Sequence, residues 1–309
     1  MQSVGVPRFY VDLGQYLLAI GYDFGYEVND DERHLMSLNP TKQIELYSGW
    51  QHVRVPRVAP ITYAFFLGHN AAYYQYPKWF DVTDGVYEAG IGTGIVTGIN
   101  ESTESVNTTP EHTGFSLWTF IDIEDKDYCF GIMGVGNGNK VGAISMGNYY
   151  DMPHSPDLNL KMSIEMDGVK NIKTKGGASL SNISYTKPQD WGDMGAWQLG
   201  GASNLRSGRR VWDLSFSYLS DTDVFPVNAT TSNPLNTYPA DDTLLDGTDF
   251  FSQVWNRTMG GHLPFIFQPD GSNNNPDQFS ICRFDMNSLT YDQVANNAYN
   301  VKLKIRESW

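Results

Sequence analysis

From Leu158 to Met166 the chain alternates without a break: Leu158, Leu160, Met162, Ile164 and Met166 against Asn159, Lys161, Ser163 and Glu165. A period of two puts all five apolar side chains on one face of a strand and cannot build one face of a helix, whose period is 3.6. The pattern returns in "GRRVWDLSFSYLSD", where Trp212, Leu214, Phe216 and Tyr218 alternate with Asp213, Ser215 and Ser217. It returns again in "NNAYNVKLKIRESW", where Tyr299, Val301, Leu303 and Ile305 alternate with Asn300, Lys302, Lys304 and Arg306. Such strands bury one face and wet the other, as antiparallel sheets do. Asp167-Gly168 follows the first strand and leads into "VKNIKTK", which predicts a hairpin.

The first half is less regular. "APITYAFFLGHNAAYY" is apolar and aromatic from Ile61 to Leu67, which suits a strand buried on both faces, with Gly68, His69 and Asn70 as the turn that ends it. "PRFYVDLGQYLLAIG" suits a short helix or strand, and "NDDERHLMSLNP" offers Asn29 or Asp30 as a helix N-cap. "FSLWTFIDI", "DYCFGIMGV" and "VGAISMG" read as a meander, after a glycine-rich and then polar excursion from residue 91 to 114. The apolar pattern lapses near residue 155. Among all these strands one helix stands out in "TDFFSQVWNRTMGG": Phe250, Phe251, Val254, Trp255 and Met259 form a stripe, with Thr248 or Asp249 as cap and Gly260 and Gly261 as stop.

The expected fold is therefore all-β: antiparallel β-sandwich domains over 1–155 (jelly-roll-like) and 156–309, the second flanked by a single α-helix at about 249–259. With 309 residues such a chain buries a core without staples, so Cys129 and Cys282, each in an apolar run, read as buried free thiols. Aromatic residues at 14% and charged residues at 18% fit strands and turns rather than helical bundles.

Several chemistries are excluded or weak. A net charge of -14 with no large Lys/Arg cluster argues against nucleic-acid binding, and "LRSGRRV" reads as a solvated hairpin end. No phosphate-binding loop, Gly-x-Ser-x-Gly elbow or histidine pair at zinc spacing occurs, so no catalytic, cofactor or metal residue is assigned. Two acidic clusters, "IDIEDKD" and "PADDTLLDGTD", read as turns, with Ca²⁺ binding left open. Trp191 and Trp197 suit either sugar stacking or a loop core. No run is long enough to span a bilayer, and the start lacks a signal-peptide pattern, so the expectation is a chain neither secreted by a standard signal nor inserted in a membrane.

Three features together resemble the tail-tip proteins of long-tailed phages. They are "TYAFFLGHN"; "GRRVWDLSFSYLSD" followed by a Trp-bearing helix and "GGHLPFIFQPD"; and the terminal strand closing on Glu307, Ser308 and Trp309. The last two are similar to the distal tail and minor tail protein family, in which a tail-tube-like sandwich flanked by one helix assembles as a ring. The resemblance implies a structural virion protein assembled in the host cytoplasm, with no enzymatic activity and no cofactor. Its partners would be further copies in a ring, other tail proteins such as tube, hub and fibres, and host surface glycan. His69, Asn70, Arg306 and Trp309 are the candidate assembly or ligand contacts, Trp309 being either a plug for its own sandwich or an anchor in the next subunit. The other readings are a carbohydrate-binding host-recognition module and a polysaccharide-degrading sandwich enzyme using an acidic pair.

Overall fold

The computed structural model describes residues 5–39, 43–45, 50–69, 75–80, 115–120, 122, 127–134, 140–165, 169–183, 209–225, 247–273 and 278–308. The chain opens with β1 (Arg8–Asp12) and turns directly into α1 (Leu13–Ala19), because Asp12 caps the helix by accepting the Gln15 amide at 2.6 Å. "PRFYVDLGQYLLAIG" thus supplies both a strand and a helix. In α2 (Asp30–Leu35) Asn29, one of the two caps the sequence offers, is the N-cap, and it forms a reciprocal capping box with Glu32.

Strands follow: β2 (Ile44–Glu45), β3 (Trp50–Pro56), β4 (Tyr63–Leu67), β5 (Gln75–Phe80), β6 (Phe115–Thr119), β7 (Tyr128–Gly134), β8 (Lys140–Val141) and β9 (Ala143–Asp151). Beyond residue 155 come β10 (Lys161–Glu165), β11 (Val169–Lys173), β12 (Ser179–Ile183), β13 (Arg209–Ser220), the short α3 (Asp221–Val224) and a π-helix (Phe251–Asn256). The chain then runs through β14 (Phe265–Gln268), β15 (Ser280–Phe284), β16 (Tyr291–Ala295) and β17 (Ala298–Glu307). The architecture is all-β and antiparallel throughout.

One long sheet runs β10-β13-β17-β15-β14-β1-β9-β4-β6, with β16 also on β17, so it takes strands from both sides of residue 155. On one face β4 and β9 meet a three-stranded sheet, β3-β7-β5. Ala64, Phe66, Ile144 and Met146 pack there on Val53, Val55 and Cys129, and on Leu13, Leu17 and Leu35 from α1 and α2. Further along the same face, Phe9, Phe265, Phe267, Trp212, Leu214, Phe216, Val301, Leu303 and Ile305 form a second cluster beneath Phe250 and Val254 of the π-helix segment. The opposite face holds Tyr10, Tyr63, Phe65, Ile266, Phe279 and Ile281. Each large apolar side chain buried this way contributes about 1.5–3 kcal/mol before chain entropy is counted. All five residues of β4 are buried, as its unbroken apolar run predicts.

Several elements differ from the sequence reading. β6, β7 and β9 are not a meander: β6 pairs with β4, β7 with β3 and β5, and β9 with β1 and β4. β10 does not hairpin onto β11. β10 pairs with β13, while β11 pairs with β12 around a turn from Thr174 to Ala178, where Gly177 adopts a positive φ of 84°. Residues 166–168, with the expected Asp-Gly turn, lie outside the described residues, as do 91–114, Trp191 and Trp197. The polar residues from Ser220 to Gly247 read from sequence as a long exposed loop; their start forms α3, and residues 226–246 lie outside the described residues.

In β13 the inward run holds through Trp212, Leu214 and Phe216 and then slips. Ser217 and Tyr218 together oppose Asn300, and this bulge passes the inward position to Leu219 and leaves Tyr218 76% exposed. The helix expected at 249–259 is present in its core as a π-helix, and a polar set, Asp249, Ser252, Gln253, Arg257 and Thr258, is buried with Phe250 and Val254. Met259 of the expected stripe is exposed. Among the described residues no helix is long and apolar enough to cross a membrane.

Candidate assembly surface

The outer face of the C-terminal strands carries an ordered row of charge. Register places Lys161 of β10 beside Asp213 of β13, and Asp213 beside Lys304 of β17; Lys304 then bonds Asp285 at 2.6 Å. The row thus reads plus, minus, plus, minus from the sheet edge inward. Hydrogen bonding to Asp285, with its charge, raises the Lys304 pKa. One register step away, Arg306 reaches Glu165 at 2.9 Å. A groove of about 610 Å³ opens over this face, bordered by Lys161, Asp213, Asp285, Asp292, Lys302 and Lys304 with the hydroxyls of Ser288 and Thr290 between them. Alternating charges at this spacing suit ion pairing with another polar surface; each exposed pair contributes about 0–1 kcal/mol, so the row directs contact more than it drives it.

At the edge itself β10 is open. Its residues from Lys161 to Ile164 are all exposed, and among the described residues no strand lies beyond it. Met162 and Ile164 are 38% and 58% exposed, and Leu158 just upstream is fully exposed. The register with Trp212 puts these side chains on the core side of the sheet, where Leu160 packs on the cluster but Met162 and Ile164 are left uncovered. Unpaired backbone donors and acceptors beside uncovered apolar side chains make a template for another strand.

The candidate contacts read from sequence are scattered. His69 is 2% exposed just past the end of β4. Arg306 sits on β17, five strand positions away in the order β17-β15-β14-β1-β9-β4, or about 24 Å at the usual strand spacing. Asn70 and Trp309 lie outside the described residues. Of the acidic clusters, Asp122 is tied to Arg57 at 2.6 Å and accepts the Ile61 amide, and Asp249 accepts the Ser252 amide and hydroxyl. Glu124, Asp125, Asp241, Asp242 and Asp246 lie outside the described residues, and among those described no group of three or more His, Cys, Asp or Glu could hold a metal ion. Both cysteines are buried and free, and burial raises their pKa well above the thiol range.

Sequence reasoning missed three buried polar sets that fix these elements. Arg210, read as part of a solvated turn, donates to Glu307, Ser280 and the Phe279 carbonyl. Asp12 bonds the amides of Gln15 and Met146 and the Ser145 hydroxyl, which in turn meets Tyr63 at 3.1 Å. Gln253 of the π-helix accepts from Asn148, whose own oxygen accepts the Thr62 hydroxyl at 2.6 Å. Each joins strands far apart in sequence, so no local spacing announces it. Compared with protein-family models, with curated proteins and with solved structures, the chain matches none.

Proposed function

We propose that the chain is a structural protein of a bacteriophage tail, a ring or adaptor at the distal tip, and that it works by docking to other subunits rather than by chemistry of its own. The observation that carries this reading is the open β10 edge, where Met162 and Ile164 lie uncovered on one face and a row of alternating charge ends on the other. An edge of that kind is normally blunted or covered in a chain that works alone. The motif order described above adds the tail assignment by resemblance. Mass spectrometry and electron microscopy of purified particles test it: the chain is expected in stoichiometric amount at the distal tail, and its absence from particles overturns the reading.

A second reading, a carbohydrate-binding host-recognition module, has the groove in its favour. Carboxylates, ammonium groups and hydroxyls such as those of Asp285, Asp292, Lys302 and Thr290 are the partners sugar hydroxyls use. A glycan array separates the two readings, since saturable binding lost on Asp292→Ala and Thr290→Ala supports the second.

A further inference from the structure

The β10 edge is self-complementary. Its sequence is Lys161-Met162-Ser163-Ile164-Glu165. Antiparallel pairing with a second copy, centred on Ser163, sets Lys161 opposite Glu165 of the copy, Met162 opposite Ile164, and Ser163 opposite itself. Both charged positions meet their opposites and both apolar positions meet apolar partners, on their proper faces, because the side-chain period is two.

The match extends inward. Within one chain the row runs Asp285, Lys304, Asp213, Lys161 from the interior to the edge. Across the junction it continues with Glu165 of the copy and then Arg209, which the register places beside Glu165. Six positions alternate in sign without a break, and the two-fold axis repeats the row in the opposite direction. A one-residue slip in one direction would place Met162 against Glu165, and a slip in the other would place Lys161 against Ile164, so the pairing is specified. Arg306 of β17 holds Glu165 at 2.9 Å from the inner side of β13, so the copy's Lys161 would meet a carboxylate that already has one cationic partner.

We propose that two copies of the chain associate through β10, antiparallel about a two-fold axis at Ser163, joining their long sheets into one continuous sheet. The contact is isologous: the same strand serves both partners, and it closes on itself. A ring would then be built from dimers and would use other surfaces for its remaining contacts. The pairing is a property of the isolated chain, so absence of the chain from phage particles would sink the tail reading and leave the dimer standing.

Sedimentation equilibrium of the full chain tests it. The wild type is expected to be a concentration-dependent dimer. Lys161→Glu alone sets like charges opposite each other at two symmetric positions and is expected to raise the dissociation constant about tenfold or more, as is Glu165→Lys. The double variant K161E/E165K restores opposite charges across the junction but sets like charges beside Asp213 and Arg209 within each chain, so it is expected to recover part of the affinity that either single reversal loses, a rescue that depends on this register. Thermal melts confirm that each variant remains folded. Ile164→Lys, at an exposed position, gives a second disruption without touching the ion pairs. A wild type that stays monomeric over the concentration range, or a dimer indifferent to both single reversals, overturns the proposal, as does a chain that associates only with a different tail protein.

Discussion

Arg210 on β13 and Glu307 at the end of β17 form an ion pair at 3.0 Å in which the carboxylate is only 2% exposed, and the same carboxylate accepts the Arg210 backbone amide at 2.9 Å. The guanidinium continues to Ser280 of β15 and to the Phe279 carbonyl, so one residue ties together three adjacent strands. Removing one partner of a buried pair leaves the other charge uncompensated. Glu307→Ala is therefore expected to cost about 3 kcal/mol, whereas the double change R210M/E307L, which removes both charges for apolar volume but still strips the residue-210 amide of its acceptor, should cost less. Urea unfolding midpoints of the two variants check this, and equal losses in both would show that the pair contributes only packing.

Asp12 predicts a pH dependence. Burial lifts its carboxyl from an ordinary 3.8 to about 7, against the opposing pull of its hydrogen bonds from Gln15, Ser145 and Met146. The folded state therefore holds a proton that the unfolded chain has already released between those pH values. Stability falls as pH rises through that window, and the cost of the buried charge is fully present above about 7. Asp12→Asn cannot titrate and should lose a constant amount from its poorer acceptance of the Met146 amide. The wild-type advantage over Asp12→Asn should shrink by roughly 2–3 kcal/mol between pH 5 and 8. Thermal melts of both proteins across that range decide it; a constant gap would exclude titration of Asp12.

Gly147 is fixed by a close approach of β9 to the junction of β1 and α1. A β-carbon there would overlap the Val11 carbonyl oxygen and come within 2.9 Å of the Leu13 amide nitrogen. Both are backbone atoms held by the strand pairing of Asp12 with Gly147, so neither can step aside cheaply. Gly147→Ala is expected to lose several kcal/mol, or to fail to yield folded protein. Gly176, in the turn between β11 and β12, has only the Thr174 hydroxyl at 4.0 Å from such a carbon, so Gly176→Ala should melt with the wild type.

Legibility in the sequence divides along the range of the interactions. The alternation of Trp212, Leu214 and Phe216, the unbroken run of β4 and the N-cap at Asn29 or Asp30 are readable because each is written within a few neighbouring residues. Pairing is not: β1 takes β14 and β9 as neighbours, more than a hundred residues away, and nothing in "RFYVD" names them. Polar residues misled in the opposite sense. Arg210, Gln253 and Glu307 sit in stretches whose charge suggests solvent, and they are drawn inward by partners on other strands. The open face of β10 is the converse: its period is correct for a half-buried strand, yet among the described residues nothing covers Met162 and Ile164 on that face.

Tyr218 holds the bulge in β13 with φ at 62°, a left-handed conformation that costs a side-chain-bearing residue about 1 kcal/mol relative to glycine. Its amide is held by the Asn300 side chain at 3.1 Å, and its ring, 76% exposed, contributes little packing in the single chain. Tyr218→Gly relieves the backbone strain but gains unfolded-state entropy, so the two effects oppose each other. Tyr218→Asn, which tolerates the same φ without glycine's entropy, is expected to raise the melting temperature by a few degrees, while Tyr218→Val, β-branched, should lower it. Asn300→Ala should lower it as well by freeing the Tyr218 amide from its partner. If Tyr218→Asn, Tyr218→Val and Asn300→Ala all left the melting temperature unchanged, the bulge would be fixed by the register of β13 on β17 alone and not by the residue that occupies it.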